Sequence, residues 1–520
     1  MDPFNKLPAE LRTEIIVSTW CPRTISKLIQ ASPVMLEQYT ISKKYITKRF
    51  LAADFDDGMI QDAMAIILFP SQSTSSTSHF TTLARQHCRS WATQQFPNPF
   101  LQPLLRQNQD FLNKISKLNE GLMFFIGDYL SKATAVFPPR EYLCLPSETQ
   151  PQLQFKGQPV CPRFNAAKLT GLERRRLLRA FLRYQLNSLI DRVANPEIQS
   201  LCKEALHRYG GQEGQAWDRE ALFCVHTYLR SLYGAMFAQC GDSWLPEKVP
   251  ASDKSDESDE SEECEELTSP PGLLYPDNIH VDPENYADDM GWRNRPRDII
   301  SALAGFGFDL VKILLRFAAA GQSGRDRLRK WFIDSCPALE WSNFCFLFQD
   351  YRRPQFARNG KYRGSGMYNT LSSNRVESHP RRCSFSETYQ QRAWVFLDDA
   401  RFYPSPSHSN PWQIFGWVLV DRAGFRISPS SEMPHFPTRS EYSDQRRGSY
   451  RYEDNPEALD ELRAQHRSQK WHDEQGGISP GKAKAENPQD SKLEKEHQVS
   501  LPSILSVNGR HVSTLCPFWE

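Results

Sequence analysis

The chain has no surplus of charge, no long apolar run and no paired cysteines, and each absence removes a class of protein. Its 520 residues carry 63 Lys and Arg against 62 Asp and Glu, a formal charge of +1. That balance excludes a polybasic nucleic-acid binder or a polyanion as the global description. The twelve cysteines, at 21, 88, 144, 161, 202, 224, 240, 264, 336, 345, 383 and 516, include no Cys-x-x-Cys pair. A zinc ribbon and a dense disulfide framework are therefore both disfavoured. The most apolar long window, 299–320, holds Asp309, Lys312 and Arg316 and is too charged to span a bilayer. Met1-Asp2-Pro3-Phe4 lacks the basic start and apolar core of a signal peptide. The expectation is a soluble protein of a reducing compartment, cytoplasmic or nuclear, without membrane or nucleic-acid partners. Apolar residues are also scarce, at 39% with 36 prolines and a mean hydropathy of −0.59. Part of the chain is thus expected not to pack, while a 12% aromatic content makes the remaining cores rich in Phe and Trp.

What is present reads as mainly α. Leu7-Pro8-Ala9-Glu10-Leu11 places Pro at a helix start, and Leu11, Ile15 and Ile16 share one face. After Cys21-Pro22, a second short helix carries Ile25, Leu28 and Ile29, and Ser32-Pro33 caps a third with Leu36 and Tyr39, then Tyr45, Ile46 and Phe50. These define a unit over 1–50. A helical domain follows over 51–250. In it Thr170-Gly171-Leu172-Glu173 has capping-box spacing ahead of Leu178, Leu182, Leu186, Leu189 and Val193. A further amphipathic helix carries Leu222, Val225, Leu229, Leu232 and Met236.

Residues 251–296 form an acidic and then Pro-rich linker, expected to be disordered because the run around Ser255, Ser258 and Ser261 repels itself and has nothing apolar to bury. Those serines suit an acid-directed kinase, and a solvating linker explains them equally well. A second block, 297–427, opens with a helix bearing Leu303, Phe306, Leu310, Leu314 and Phe317, and Ser323 is expected to cap the next. Trp394-Val395-Phe396-Leu397 and Trp412 to Val420 read as buried strands. Residues 428–520 read as a mostly disordered tail.

Candidate chemistry is sparse. Cys336, Cys345, His379 and Cys383 are the nearest approach to a metal set, but the spacing within the first pair exceeds ligand spacing, and core thiols are the plainer reading. Gly305-Phe306-Gly307 lacks the third glycine of a dinucleotide loop, and Gly360 to Gly366 lacks the end of a P-loop. Asp398-Asp399 suits a turn better than a paired acid. Arg174, Arg175, Arg176, Arg179 and Arg183 read as the solvated face of their helix. No catalytic residue, cofactor or metal is assigned.

The first fifty residues resemble an F-box, of the kind that opens many fungal proteins. The likeness rests on Leu7-Pro8-Ala9-Glu10-Leu11, Ile15-Ile16, Leu28, Ala31-Ser32-Pro33 and Tyr39, and covers about a tenth of the chain. Tyr39 stands where the family's third helix often has Trp. The resemblance implies a three-helix module that docks on a Skp-type adaptor of a cullin–RING ubiquitin ligase, while the rest of the chain holds an unidentified protein substrate. It also implies adaptor contacts at Leu7, Pro8, Leu11, Ile15, Leu28 and Ile29, and a receptor rather than an enzyme. The alternative is a non-catalytic interaction scaffold whose F-box-like start is structural. An enzyme with a site assembled from dispersed residues is a third.

Overall fold

The computed structural model describes residues 2–19, 22–70, 77–100, 106–135, 138–147, 150–192, 196–241, 243, 245, 283–287, 299–336, 390–398, 504–507 and 510–513. The expected disordered linker over most of 251–296, the strand expected from Trp412 to Val420 and most of the tail lie outside them. The described fold is mainly helical with a small three-stranded sheet.

The N-terminal unit is a 3-10 turn followed by α1 (Ala9–Ser18), α2 (Pro22–Ala31) and α3 (Pro33–Asp54). Its own small core is Ile16, Val17, Ile25, Met35 and Ile46. Three short helices bury too little to stand alone, and here the third is not short. α3 continues past residue 50 to Asp54, and Leu51 and Phe55 enter the main core. The unit is therefore joined to the rest of the protein by an unbroken helix rather than a hinge.

α4 (Asp57–Ile67) begins where the Asp56 carboxylate accepts from Met59 N at 2.9 Å, a side-chain cap that satisfies a free N–H of its first turn. α5 (Thr77–Ala92), α6 (Arg106–Ala133) and the short α7 (Pro138–Tyr142) follow. Then come β1 (Leu145–Pro146), β2 (Gln152–Phe155) and β3 (Gln158–Pro162), all antiparallel in the order β1-β2-β3. This sheet departs from the all-helical expectation for 51–250. Its signal is the alternation Gln152-Leu153-Gln154-Phe155 closed by Lys156-Gly157, both at positive φ (49° and 83°).

α8 (Gly171–Arg192) and α9 (Pro196–Cys240) form the axis of the main core. The capping box is complete: Glu173 N donates to Thr170 Oγ1 at 3.2 Å and Thr170 N donates to Glu173 Oε2 at 2.9 Å. α10 (Glu284–Ala287), α11 (Ile299–Ala304), α12 (Gly307–Ala319) and α13 (Gly321–Ser335) pack on α9. The two ordered stretches that the acidic run separates in sequence thus share one apolar core, from Leu51 to Leu397. At its centre, Phe181 stacks on Phe308 at 5.2 Å, and Tyr129 and Tyr228 lie 4.9 Å apart.

Two helix boundaries differ from the expected ones. The apolar run over 303–317 is two helices, because Gly307 sits at φ +71° and a Cβ there would lie 2.8 Å from Gln185 Oε1 and 2.9 Å from Ser188 Cβ. The break lets Gln185 receive Phe308 N at 2.9 Å and donate to Asp309 at 3.0 Å. Ser323 is no cap: α13 starts at Gly321, φ +73°.

The largest departure is residues 390–398. Trp394 to Leu397 is not a strand. Ala393 turns the chain at φ +57°, and the segment runs in consecutive turns, buried through Leu397. Its polar groups are met by α6, α7, α8 and α9. The Tyr129 and Tyr142 hydroxyls donate to the carbonyls of Gln390 and Gln391. Arg392 donates to the Ala135 carbonyl at 2.7 Å, and Asp398 N donates to Glu173 Oε1 at 2.9 Å. Gln390 Nε2 and Trp394 Nε1 both donate to Glu220 Oε1, at 3.1 and 3.2 Å. A segment far along the chain thereby closes the core of the first half.

Glu220 accepts these two bonds with no cation among its recorded partners, and burial pushes its carboxyl up from 4.5 to about 7. Between those values the folded chain holds a proton that the unfolded chain has released, so this group's contribution falls as pH rises from 4.5 to 7 and is constant above. Glu220→Gln keeps an acceptor for both donors and removes the penalty. Urea denaturation at pH 8 is expected to show a gain of up to ~3 kcal/mol, shrinking towards zero near pH 4.5. A variant that is equally or less stable at pH 8 contradicts this assignment.

Candidate functional site

The N-terminal unit is held in shape by polar contacts that leave apolar side chains over. The Asp2 carboxylate accepts from Phe4 N at 2.9 Å and from the Ser32 hydroxyl, which itself caps α3 by accepting from Met35 N at 3.1 Å. The Ser32 bond and then the Phe4 bond hold the Asp2 carboxyl below its ordinary range. The chain start is thus tied to the α2–α3 junction, and Leu7-Pro8 is presented at the entry to α1. Between α1 and α3, buried Gln38 donates to Thr13 at 2.9 Å and to Ser42 at 2.8 Å.

Within this frame Pro8 is exposed and is the residue just ahead of α1, its carbonyl accepting from Arg12 N, while Leu7 is half-buried. Leu11 is 51% exposed. Ile15, Leu28 and Ile29 are half-buried against the unit's own core. The six residues thus divide between a rim open to a partner at Pro8 and Leu11 and positions that serve internal packing as well.

Three apolar residues of α3 are exposed: Leu36 (48%) and Tyr45 (47%), which the sequence places on this helix, and Ile41 (73%), which it does not single out. The available signal is surplus. Val34, Met35, Leu36, Tyr39, Ile41, Tyr45, Ile46, Phe50 and Leu51 are more apolar side chains than one helical face can bury.

At the junction with the main core, four of the five α8 arginines are drawn into ion pairs, and Arg175 alone is exposed. Arg174 pairs with Asp54 at 3.2 Å, Arg176 with Asp398 at 2.9 Å and Arg179 with Asp56. Arg183 lies between Asp218 at 2.7 Å and Asp62 at 3.5 Å, and Arg175 Nε donates to the Ala53 carbonyl at 3.2 Å. The carboxylates come from α3, the α4 cap, α9 and the 390–398 segment. The ladder therefore locks the N-terminal unit and the distant segment to one helix.

A cleft of about 230 Å³ opens beside this ladder, lined by Asp56, Asp62, Trp91, Gln94, Arg179 and Arg183, among others. Its charged groups are paired: Trp91 Nε1 donates to Asp62 at 2.9 Å, and Arg179 and Arg183 each meet a carboxylate. Burial raises the Asp62 carboxyl against the opposing pull of Arg183. His226 meets the Tyr184 hydroxyl at 2.8 Å, and that hydroxyl donates to the Ala304 carbonyl, which makes Nδ1–H the donor to Tyr184. Burial lowers this imidazole to about 3. The buried Cys336 thiol is pushed well up by desolvation, as suits a core thiol, while Cys345, His379 and Cys383 lie outside the described residues. Among the described residues no group of His, Cys, Asp or Glu could hold a metal ion, and no helix is long and apolar enough to cross a membrane.

No family model, curated protein or solved structure matches the chain.

Proposed function

We propose that the chain is a substrate receptor of the F-box kind, whose N-terminal unit docks on a Skp-type adaptor of a cullin–RING ubiquitin ligase and whose main body holds a protein substrate. The observation that carries this reading is the combination at the N-terminus. A three-helix unit keeps Pro8 and Leu11 open at the entry to its first helix, and the unit is continuous with the large core through α3. Apolar anchors at a helix entry suit helix-in-groove docking with charges at the rim. A stiff α3 suits a receptor, whose contribution is to hold a substrate lysine at high effective concentration near the charged enzyme.

Leu7→Ala with Pro8→Ala is expected to weaken adaptor binding by about tenfold to a thousandfold, the usual range for anchor truncation of ~1–4 kcal/mol. Thermal stability should barely move, because neither residue belongs to the unit's buried core. Leu28→Ala, by contrast, is expected to lower stability and binding together. Unchanged binding in the Leu7/Pro8 variant would show that these residues are not the anchors, and failure of the wild type to bind any Skp-type adaptor at micromolar concentration would leave the scaffold reading in its place. The test uses point variants because a cut at residue 50 would pass through α3 and strip Leu51 and Phe55 of their support.

A further inference from the structure

One flank of α3 presents exposed apolar side chains. At about 100° per residue, Ile41, Tyr45 and Ala52 form a stripe along one flank of the helix, beside buried Gln38 and roughly a third of a turn round from Met35 and Ile46. All three stripe residues are exposed, and Ile41, at 73%, is the most exposed large apolar residue among those described. Lys44 borders the stripe on one side and Arg49 on the other, with Lys48 between Ile41 and Ala52 along it. From Gln38 to Ala53 the sequence has no acidic residue, and among the described residues these three cations form no ion pair. The Arg49 guanidinium lies 6.0 Å from the Tyr45 ring centroid, which stations a charge beside the ring. The helix is fixed at both ends, by the Ser32 cap and by the Arg174–Asp54 pair.

We infer that this face is a docking surface for an acidic peptide segment of a partner protein, one that presents two apolar side chains a helical turn apart between carboxylates. The inference does not rest on adaptor docking, whose anchors Leu7, Pro8 and Leu11 precede or lie on α1. Charge complementarity selects the partner. Three uncompensated cations around an apolar pair match carboxylates around an apolar pair, with the apolar contact at the centre and the charges at the rim. Phosphate neutralisation by a nucleic acid would use the cations but gain nothing from an aliphatic Ile41 at the middle of the face.

The test uses the full chain and a fluorescent nonapeptide, Glu-Glu-Leu-Glu-Ala-Glu-Leu-Glu-Glu, followed by anisotropy. Binding is expected in the micromolar range, weakening as salt rises from about 50 to 300 mM. Ile41→Asp and Lys48→Glu should each reduce affinity by about tenfold or more with an unchanged circular dichroism spectrum, since both side chains project from the helix. Leu7→Ala with Pro8→Ala should leave it intact. Four results would overturn the inference. They are retention of binding by Ile41→Asp, equal binding of a peptide with Ser in place of both leucines, and tighter binding of a single-stranded oligonucleotide of matched charge. The fourth is a rise in peptide affinity when residues 253–266 are replaced by Gly and Ser, which would make the chain's own acidic run the occupant.

Discussion

Trp394→Ala is expected to destabilise the whole described core, not a separate C-terminal block. The side chain is buried, its Nε1 shares Glu220 with Gln390, and its neighbours in the segment meet Tyr129, Tyr142 and Glu173. Truncating a buried Trp or Phe costs about 3–5 kcal/mol, which for a core of this size corresponds to a fall in Tm of about 5–10 °C. Trp394→Phe keeps most of the buried area and removes one of two bonds to Glu220, so its loss should be nearer ~1–2 kcal/mol. The distinguishing readout is hydrogen exchange in α6 and α9, where protection should drop in Trp394→Ala. Loss confined to residues after 299 would mean that the 390–398 segment does not close the first half.

Lys132→Met should be equally severe for an electrostatic reason. Lys132 and Asp128 are fully buried and 2.8 Å apart on α6, and Tyr228 donates to the same carboxylate oxygen at 2.7 Å. The second oxygen, Asp128 Oδ1, has no hydrogen-bond partner, so the ammonium is the main compensation for the charge. Removing it strands a buried carboxylate at about 3–5 kcal/mol. Adding Asp128→Asn removes the charge while keeping an acceptor for Tyr228, and should recover most of the loss. A single variant as stable as the wild type in urea denaturation would show that the pair is not needed.

Much of the helical frame was legible because it depends on local spacing. The Thr170–Glu173 box, the Ser32 cap and the apolar periods of α8 and α9 require only neighbours in sequence. What was not legible depends on partners far away. Trp394 to Leu397 has the aromatic and branched composition of a strand, yet burial against α6 and α9 decides its shape. The α8 arginines resemble a solvated face until Asp54, Asp56 and Asp398 arrive from distant positions. Gly307 reads as an ordinary helix glycine because its reason, close approach of Gln185 and Ser188, is tertiary. The hairpin of β4 (Ile504–Val507) and β5 (Arg510–Ser513), in a stretch expected to be disordered, did carry a local signal in Asn508-Gly509. At the candidate site, the leucine and proline of the first turn were visible in sequence. The exposed Ile41 and Tyr45 needed the packing of α3 to distinguish outer from inner face.

The most direct measurement is calorimetric titration of the full chain with a purified Skp-type adaptor. The receptor reading predicts one-to-one binding in the micromolar range or tighter, with a negative heat-capacity change from burial of the Pro8–Leu11 surface. Absence of binding at tens of micromolar by a chain whose circular dichroism shows it folded would contradict it.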